Sequence, residues 1–384
     1  QLSVRWRPAM AKIDKGKWNR LALPMDTPLL EWDWLHQLEA SGSIAPSHGW
    51  TPAHLTLWRG ERLVAAAPHY IKTRSEGEFV FDHAWAQVAA RLGEPYYPKL
   101  VGMSPVTPAV GYRFLIDPDE DVPAVAARML RAITAFCKEQ GLASTGLHFV
   151  DPDFEALLRP HGYLHWRHQS YLWENEGYAD FDHFLARFRT SARRNIRRER
   201  RRMVDGGLRL ATYRGEGIPA AFIPLMYELY GRTNARFGPW GCHFLNQAFF
   251  EGIYHNCRDR LLFVAAHLNA SNQAPPVALA MLLTKGETLI GRYWGTRQYH
   301  RDLHFNLCYY TPMEWAIAHG VRRFDPGAGS PHKIRRGFRA VAHHSWHRCL
   351  HPKLALVFAH HIDEINDAEQ AAIDELNVGL PFHR

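Results

Sequence analysis

The sequence predicts an α/β (α+β) protein in which mixed sheets are flanked by helices, arranged as two domains. Three observations lead there. The chain has 384 residues, and single hydrophobic cores stop growing at roughly 250–300 residues. Strand-like and helix-like periodicities alternate along its whole length. One strand–turn–strand pattern also occurs twice, once in each half, as a duplication would leave it.

In the first half HLTLW (54–58) precedes a short turn and RLVAAAPHYIK (62–72), then a Gly-Glu pair at 77–78 and FVFDHAW (79–85). In the second half LLFVAAHL (261–268) precedes an Asn- and Pro-containing turn and VALAMLLTK (277–285), then Gly-Glu at 286–287 and TLIGRYWG (288–295). Both read as a strand, a buried strand, a GE turn and a strand ending in an aromatic residue. A further strand is expected at TGLHFV (145–150) and at VRRFDP (321–326). Helices are expected over 29–40, 122–140, 181–204, 220–236, 245–257 and 305–319. The second of these has Asp121 as N-cap and Gly141 beyond its end. The domain boundary is placed in WENEGYADF, giving domains 1–177 and 178–384.

Apolar residues make up 46% and charged residues 22% of the chain, an ordinary globular composition that argues against disorder. No run approaches the roughly 18 apolar residues of a membrane span, and the first residues contain no apolar signal core. The five cysteines are scattered and form no CxxC, which fits reduced thiols and a cytoplasmic setting.

The net charge of +8 has one source. Lys and Arg number 46 against 38 acids, but nine arginines and one acid, Glu199, lie between Arg187 and Arg202; elsewhere 37 bases face 37 acids. In FDHFLARFRTSARRNIRRERRRMVDGG, Leu185, Phe188, Ala192, Ile196 and Met203 form an apolar stripe. Arg189, Arg193, Arg197 and Arg201 recur at i, i+4 and repel one another unless an anion offsets the charge. Arginine suits bidentate contact with phosphate, so this helix is expected to bind the phosphates of a nucleotide-containing donor or of RNA.

Two further segments have the composition of a site. TRQYHRDLH follows the 288–295 strand and leads into a helix start, with Arg297 and Arg301 near its free N–H groups. DPGAGSPHKIRRGF (325–338) follows another strand, and its glycines allow close backbone approach to a ligand. The chain has 24 histidines, including the pairs His300/His304 and His343/His347, but no HExxH or Cys/His zinc spacing. No metal site is expected.

The segments SGSIAPSHGWTPAHL (41–55), EFVFDHAWA (78–86), YYPKLVGMSPVTP (96–108), RNIRRERRRM (194–203), GRYWG (291–295), LHFNLCYY (303–310) and GAGSPHKIRRGF (327–338) together resemble the FemAB-like family of N-acyltransferases in the GNAT superfamily. The resemblance implies two GNAT-like domains in tandem, with the acyl donor in a cleft of one half. Relatives include ligases that extend peptidoglycan precursors from aminoacyl-tRNA and enzymes that use acyl-CoA. In these relatives LHFNLCYY usually reads His-Phe-Glu where this chain has Asn306, so the role of that Glu does not carry over.

Amide formation from a thioester needs a neutral amine, a polarised carbonyl and close approach, with no covalent nucleophile. None is recognisable: there is no GxSxG, and Cys308 falls in a helical pattern. The candidate catalytic residues are His304, His332, Lys333 and Tyr293, with the choice of base between the two histidines open. Donor phosphates are assigned to Arg193, Arg194, Arg197, Arg292, Arg297, Arg301 and Arg336, and the acceptor to Asn306 and Tyr309. The expected co-substrate is acyl-CoA or another acyl thioester, with no tightly bound cofactor. The expected acceptor is an amine of a peptide or small molecule, and a carrier protein is one form of donor. Aminoacyl-tRNA transfer to a peptidoglycan precursor, and a non-catalytic RNA- or anion-binding module, are the alternatives.

Overall fold

The computed structural model describes residues 2–269 and 274–383. Contacts divide the chain into two units, Gln1–Gln169 with Ala342–Ala371, and Ser170–Val341 with Ala372–Arg384. The first crossing falls at 169/170 rather than 177, and residues 342–371 return to the first unit.

The first unit contains β1 (Leu2–Arg7), α1 (Lys15–Ala22), α2 (Trp32–Ala40), β2 (Trp50–Pro52), β3 (His54–Arg59), β4 (Arg62–Ala67), β5 (Tyr70–Lys72), α3 (His83–Arg91), β6 (Lys99–Gly102), β7 (Leu115–Ile116), α4 (Val122–Glu139) and β8 (Ser144–Leu147). Strand β9 (Leu164–Glu174) leads into the second unit, which holds α5 (Phe181–Ala186), α6 (Thr190–Asp205), β10 (Leu208–Arg214), α7 (Phe222–Ala235), α8 (Gln247–Asn256), β11 (Leu261–Leu268), β12 (Ala278–Lys285) and β13 (Thr288–Thr296). There follow α9 (Leu303–Phe305), a π-helical turn (Asn306–Tyr310), α10 (Thr311–Ala318), β14 (Arg323–Asp325), β15 (Arg339–Cys349) and α11 (Pro352–Val378). No helix among the described residues is long and apolar enough to cross a membrane.

In the second unit β11, β12 and β13 form the expected antiparallel meander; β10, which was not expected, pairs antiparallel with β11, β14 adds parallel to β13, and residues 173–174 of β9 add beyond it. The expected turn between β11 and β12 falls partly on residues 270–273, outside the described residues. Helix α7 lies directly on β13. A Cβ built on Gly295 would sit 2.4 Å from the Leu229 carbonyl oxygen, and Thr233 Oγ1 donates to the Trp294 carbonyl at 2.7 Å. Only glycine allows that approach.

The first unit departs from the expected repeat. Residues 62–72 form two strands in different sheets: β4 joins β1, β3 and β7, whereas β5 lies between β2 and β6. Residues 79–85 are not a strand. Glu78 and Asp82 turn inward onto buried Lys99, at 3.0 Å for Glu78, and Tyr96 donates to Asp82 at 2.6 Å. With Phe79 at φ 54 the backbone leaves the extended region, and α3 starts at His83. The strand beside β5 is instead β6, which pairs in parallel with β8. Helix α4 forms as expected: Asp121 caps the Ala124 N–H at 3.0 Å, and Val125, Met129, Ile133 and Cys137 are buried.

The helix expected over 181–204 is broken at 187–189. Phe188 is fully buried and bridges to Phe382, while the Arg189 N–H donates to the Pro381 carbonyl at 2.9 Å. Pairing with the chain end interrupts the helix here, and Arg189 has an extended ψ of 147°, so α5 and α6 are separate.

Several histidines are structural. Burial drives His69 and His343 down to about 3 and His347 to about 4, and His148 and His168 are also held well below their ordinary value. Among the described residues no group of three or more His, Cys, Asp or Glu is placed to hold a metal ion.

Two outcomes are expected. Gly295→Ala should cost about 1–3 kcal/mol by forcing α7 off β13, read from denaturant unfolding; an unchanged midpoint would show that the close approach carries no stability. Histidines with depressed folded values bind protons in the unfolded chain first, so stability is full above the unfolded value near 6.5 and falls as pH drops toward 4. Each buried neutral histidine should cost about 2 kcal/mol by pH 5, and thermal unfolding at pH 7.5 and pH 5 measures the loss.

Candidate active site

Strands β13 and β14 pair in parallel only from Thr288↔Arg323 to Ile290↔Asp325. Beyond that point the ladder stops; we call this end of the pairing the fork. A bulge sits at the same place on the other side of β13: Met281 faces Tyr293 and Leu282 faces Gly291, which leaves Arg292 as the extra residue. Two glycines allow the backbones to touch at the fork. A Cβ on Gly291 would lie 3.1 Å from the Pro326 carbonyl oxygen, and one on Gly327, at φ +80, would lie 3.0 Å from the Gly291 oxygen. Asp325 stands at the apex, with Oδ1 accepting from the Gly327 N–H at 2.8 Å. Burial pushes its carboxyl up to about 6, against the pull of that hydrogen bond, Lys333 and Arg292. The Arg292 guanidinium donates to the Tyr293 hydroxyl at 2.7 Å, and the Tyr293 ring packs on Tyr230 and Phe250.

The loop after β14 is pinned from within. Lys333 is 1% exposed, and its Nζ donates to the Gly327 and Ala328 carbonyls at 2.7 and 3.1 Å. Burial lowers it to about 8, opposed by Asp325 and Cys308. His332 meets the Tyr309 hydroxyl through Nε2 at 3.1 Å and the Ser330 hydroxyl through Nδ1. Burial first, then Arg336 and Lys333, lower His332 to about 4. His304 falls to about 3 for the same reasons plus the His332 ring, and it packs 4.5 Å from Trp294. Tyr309 lies in the π-helical turn, a distortion frequent at functional sites.

Arg336 joins this loop to α6. Its guanidinium lies 3.3 Å from the Phe305 ring centroid, donates to the His332 carbonyl at 2.9 Å and pairs with Glu199 at 3.1 Å. Glu199, 5% exposed, also accepts from Tyr310 at 2.5 Å and Asn195 at 2.9 Å. Asn306 donates to the Glu199 carbonyl at 3.1 Å and the Asp302 carbonyl at 2.9 Å, so its amide braces the helix start against α6.

His304, Asn306, Tyr309, His332, Lys333 and Arg336 therefore form one connected cluster, and Arg292 and Tyr293 stand at the fork. The other arginines lie elsewhere. Arg297 is held by Glu228 at 2.5 and 3.1 Å, and Arg301 is exposed. At about 100° per residue, Arg193, Arg194 and Arg197 occupy the side of α6 away from buried Ile196, Glu199 and Met203. Sequence reasoning missed Glu199 and Asp325 as site residues. Glu199 had a signal: it is the single acid in the arginine run, and its spacing from Ile196 and Met203 places it on the apolar stripe. Asp325 opened the candidate loop segment 325–338 but was assigned no role.

Comparison with known proteins follows the same architecture. FemX superposes with a TM-score of 0.56 at 12% identity, covering 92% of this chain and 99% of its own. The C-terminal domain of a putative lysylphosphatidylglycerol synthetase from Agrobacterium fabrum gives 0.53 at 10% identity over 91% and 96%. L-PGS from Bacillus licheniformis gives 0.50 at 10% identity over 92% and 97%. At these identities the likeness shows the fold, a tandem of GNAT-like units. No curated protein sequence matches the chain. The profile of the FemAB-like family, described as peptidoglycan biosynthesis/recognition, matches residues 9–384, and the chain belongs to that family.

Proposed function

We propose that the protein is an N-acyltransferase that moves an acyl group from a thioester donor, acyl-CoA or an acylated carrier protein, to an amine of a peptide or small molecule. The fork between β13 and β14 carries this reading. Among the described residues the β13–β14 ladder ends at Ile290↔Asp325, and backbone N–H groups at such a strand end would suit a thioester carbonyl, polarising it and stabilising the oxyanion. The amine nitrogen attacks the carbonyl carbon, the C–S bond breaks, and the thiolate leaves. Asp325 at the apex takes the proton released by the amine. The buried histidines are poorer bases, because burial and the adjoining cations hold them well below Asp325. Tyr309, kept protonated by burial and bonded to His332, donates its proton to the leaving sulfur. Exchange with solvent then returns a proton to Tyr309 and removes the one on Asp325. Lys333 shapes the loop around the donor by holding its carbonyls.

A second reading, aminoacyl transfer from tRNA to a peptidoglycan precursor, draws on the description of the family. The same fork would then hold an ester carbonyl. Native mass spectrometry of the purified protein, with absorbance at 260 nm, separates the two: bound CoA or acyl-CoA supports the thioester, and tRNA that supports transfer supports the ligase. RNA bound without transfer would point to a non-catalytic binding module.

Two results are expected from acylation assays. Asp325 must be deprotonated to act, so the rate should climb as pH passes about 6, and Asp325→Asn should remove that limb and lower kcat by about 10²–10⁴. A variant with the wild-type profile would take Asp325 out of the mechanism. Lys333→Ala should lower kcat/KM at least about tenfold while circular dichroism stays unchanged. Wild-type turnover there would show that the loop does not shape the site.

A further inference from the structure

The outer face of α6 points away from Glu199 and meets its cluster where Arg198 donates to Asn195. It lines an open groove of six arginines, Arg193, Arg194, Arg197, Arg198, Arg201 and Arg202, with Thr190 and Asp205 at its ends. Three of the six are engaged: Arg197 with Asp182 at 3.0 Å, Arg198 with Asn195, and Arg202 with Asp302. The side chains of Arg193, Arg194 and Arg201 make no ion pair among the described residues. The rest of the chain is formally neutral, so the field of this face is not offset by a general acidic surface. Repulsion at i, i+4 between Arg193, Arg197 and Arg201 is a standing cost that a row of anions would remove.

We infer that this face docks the protein on an anionic phospholipid surface. Charge complementarity requires a polyanion, and the make-up of the face favours a lipid leaflet over RNA. RNA recognition relies on aromatic stacking, on polar side chains reading base edges and 2′-hydroxyls, or on a surface spanning two minor grooves. The groove contains no aromatic side chain and belongs to one helix. Val204, 70% exposed, projects from the same face between the directions of Arg193 and Arg197 at about 100° per residue. A solvent-exposed apolar side chain among arginines suits an interface where guanidiniums meet phosphates and their stems, with Val204, lie at the acyl boundary. This docking is peripheral and independent of the acyl-transfer reading, because Glu199 and Arg336 lie on the other side of the helix.

The test is co-sedimentation of the full chain with phosphatidylcholine vesicles that contain or lack phosphatidylglycerol. The wild type should sediment with the anionic vesicles only and be released by salt. Replacing the three unpaired arginines (Arg193→Gln, Arg194→Gln and Arg201→Gln) should weaken binding roughly a hundredfold, with the helical circular dichroism signal and unfolding temperature retained. Val204→Asp should weaken binding without altering the fold. Equal binding to neutral vesicles, full binding by the triple variant, or no binding to anionic vesicles would each overturn the inference. So would arginine-dependent binding of an RNA transcript by a protein that ignores vesicles; that result would give the face to nucleic acid.

Discussion

The buried ion pair between Glu199 and Arg336 is the constraint on which the site depends. It joins three pieces of chain: α6, the distorted helix from 303 to 318, and the loop after β14. Glu199 takes hydrogen bonds from Arg336 and from Tyr310, while its backbone carbonyl takes one from Asn306. Removing either partner would leave a buried charge uncompensated, a loss of about 3–5 kcal/mol. Such a pair contributes little net stability compared with apolar packing; its value is in fixing one arrangement. The arrangement it fixes places Tyr309 opposite His332.

The electrostatics of the loop follow from that placement. Arg336 is anchored by Glu199, and Lys333 by two carbonyls and the field of Asp325. Two cations beside two half-buried imidazoles disfavour imidazolium, so His304 and His332 stay neutral. The same burial acts in the other direction on Asp325, which lacks a direct cationic hydrogen-bond partner among the described residues and is held near neutrality. A site rich in basic residues thereby leaves its proton-accepting role to a carboxylate. The histidines serve better as neutral hydrogen-bonding groups.

Much of the second unit was legible because β11 and β12 are buried on both faces and read as nearly unbroken apolar runs. β11, β12 and β13 begin and end within a residue of their expected limits. The first unit was harder for a physical reason. FVFDHAW has strand composition, but its acids are drawn to Lys99, which lies 17 residues after Asp82 in sequence, and no local periodicity contains that pairing. The break at Arg187–Arg189 likewise depends on residues 381–383. Of the site, the loop motif and the strand before it stood out by composition. Glu199 was hidden because one acid among nine arginines reads as a solvated residue unless its place on the apolar stripe is weighed. Asn306 marks the reverse case, a departure from the family pattern that the structure gives a bracing role.

Helix α6 carries two jobs because the helical period keeps them apart. Its inner side, with Ile196, Glu199 and Met203, is fixed by burial and by the pair to Arg336. Arg200 and Arg202, at its borders, tie to Glu314 and Asp302 on the neighbouring helix and its start. With its position settled from within and at the edges, the remaining side is free to accumulate like charge at a cost of only a few tenths of a kcal/mol for each i, i+4 pair. That cost is small against the buried anchor. A helix held this way tolerates a charge density that an isolated peptide of the same sequence would not, and the arginines can vary with their partner without moving Glu199. The lopsided charge seen in the sequence is thus a property of one exposed face, and the chemistry of the site hangs on the single acid that the opposite face conceals.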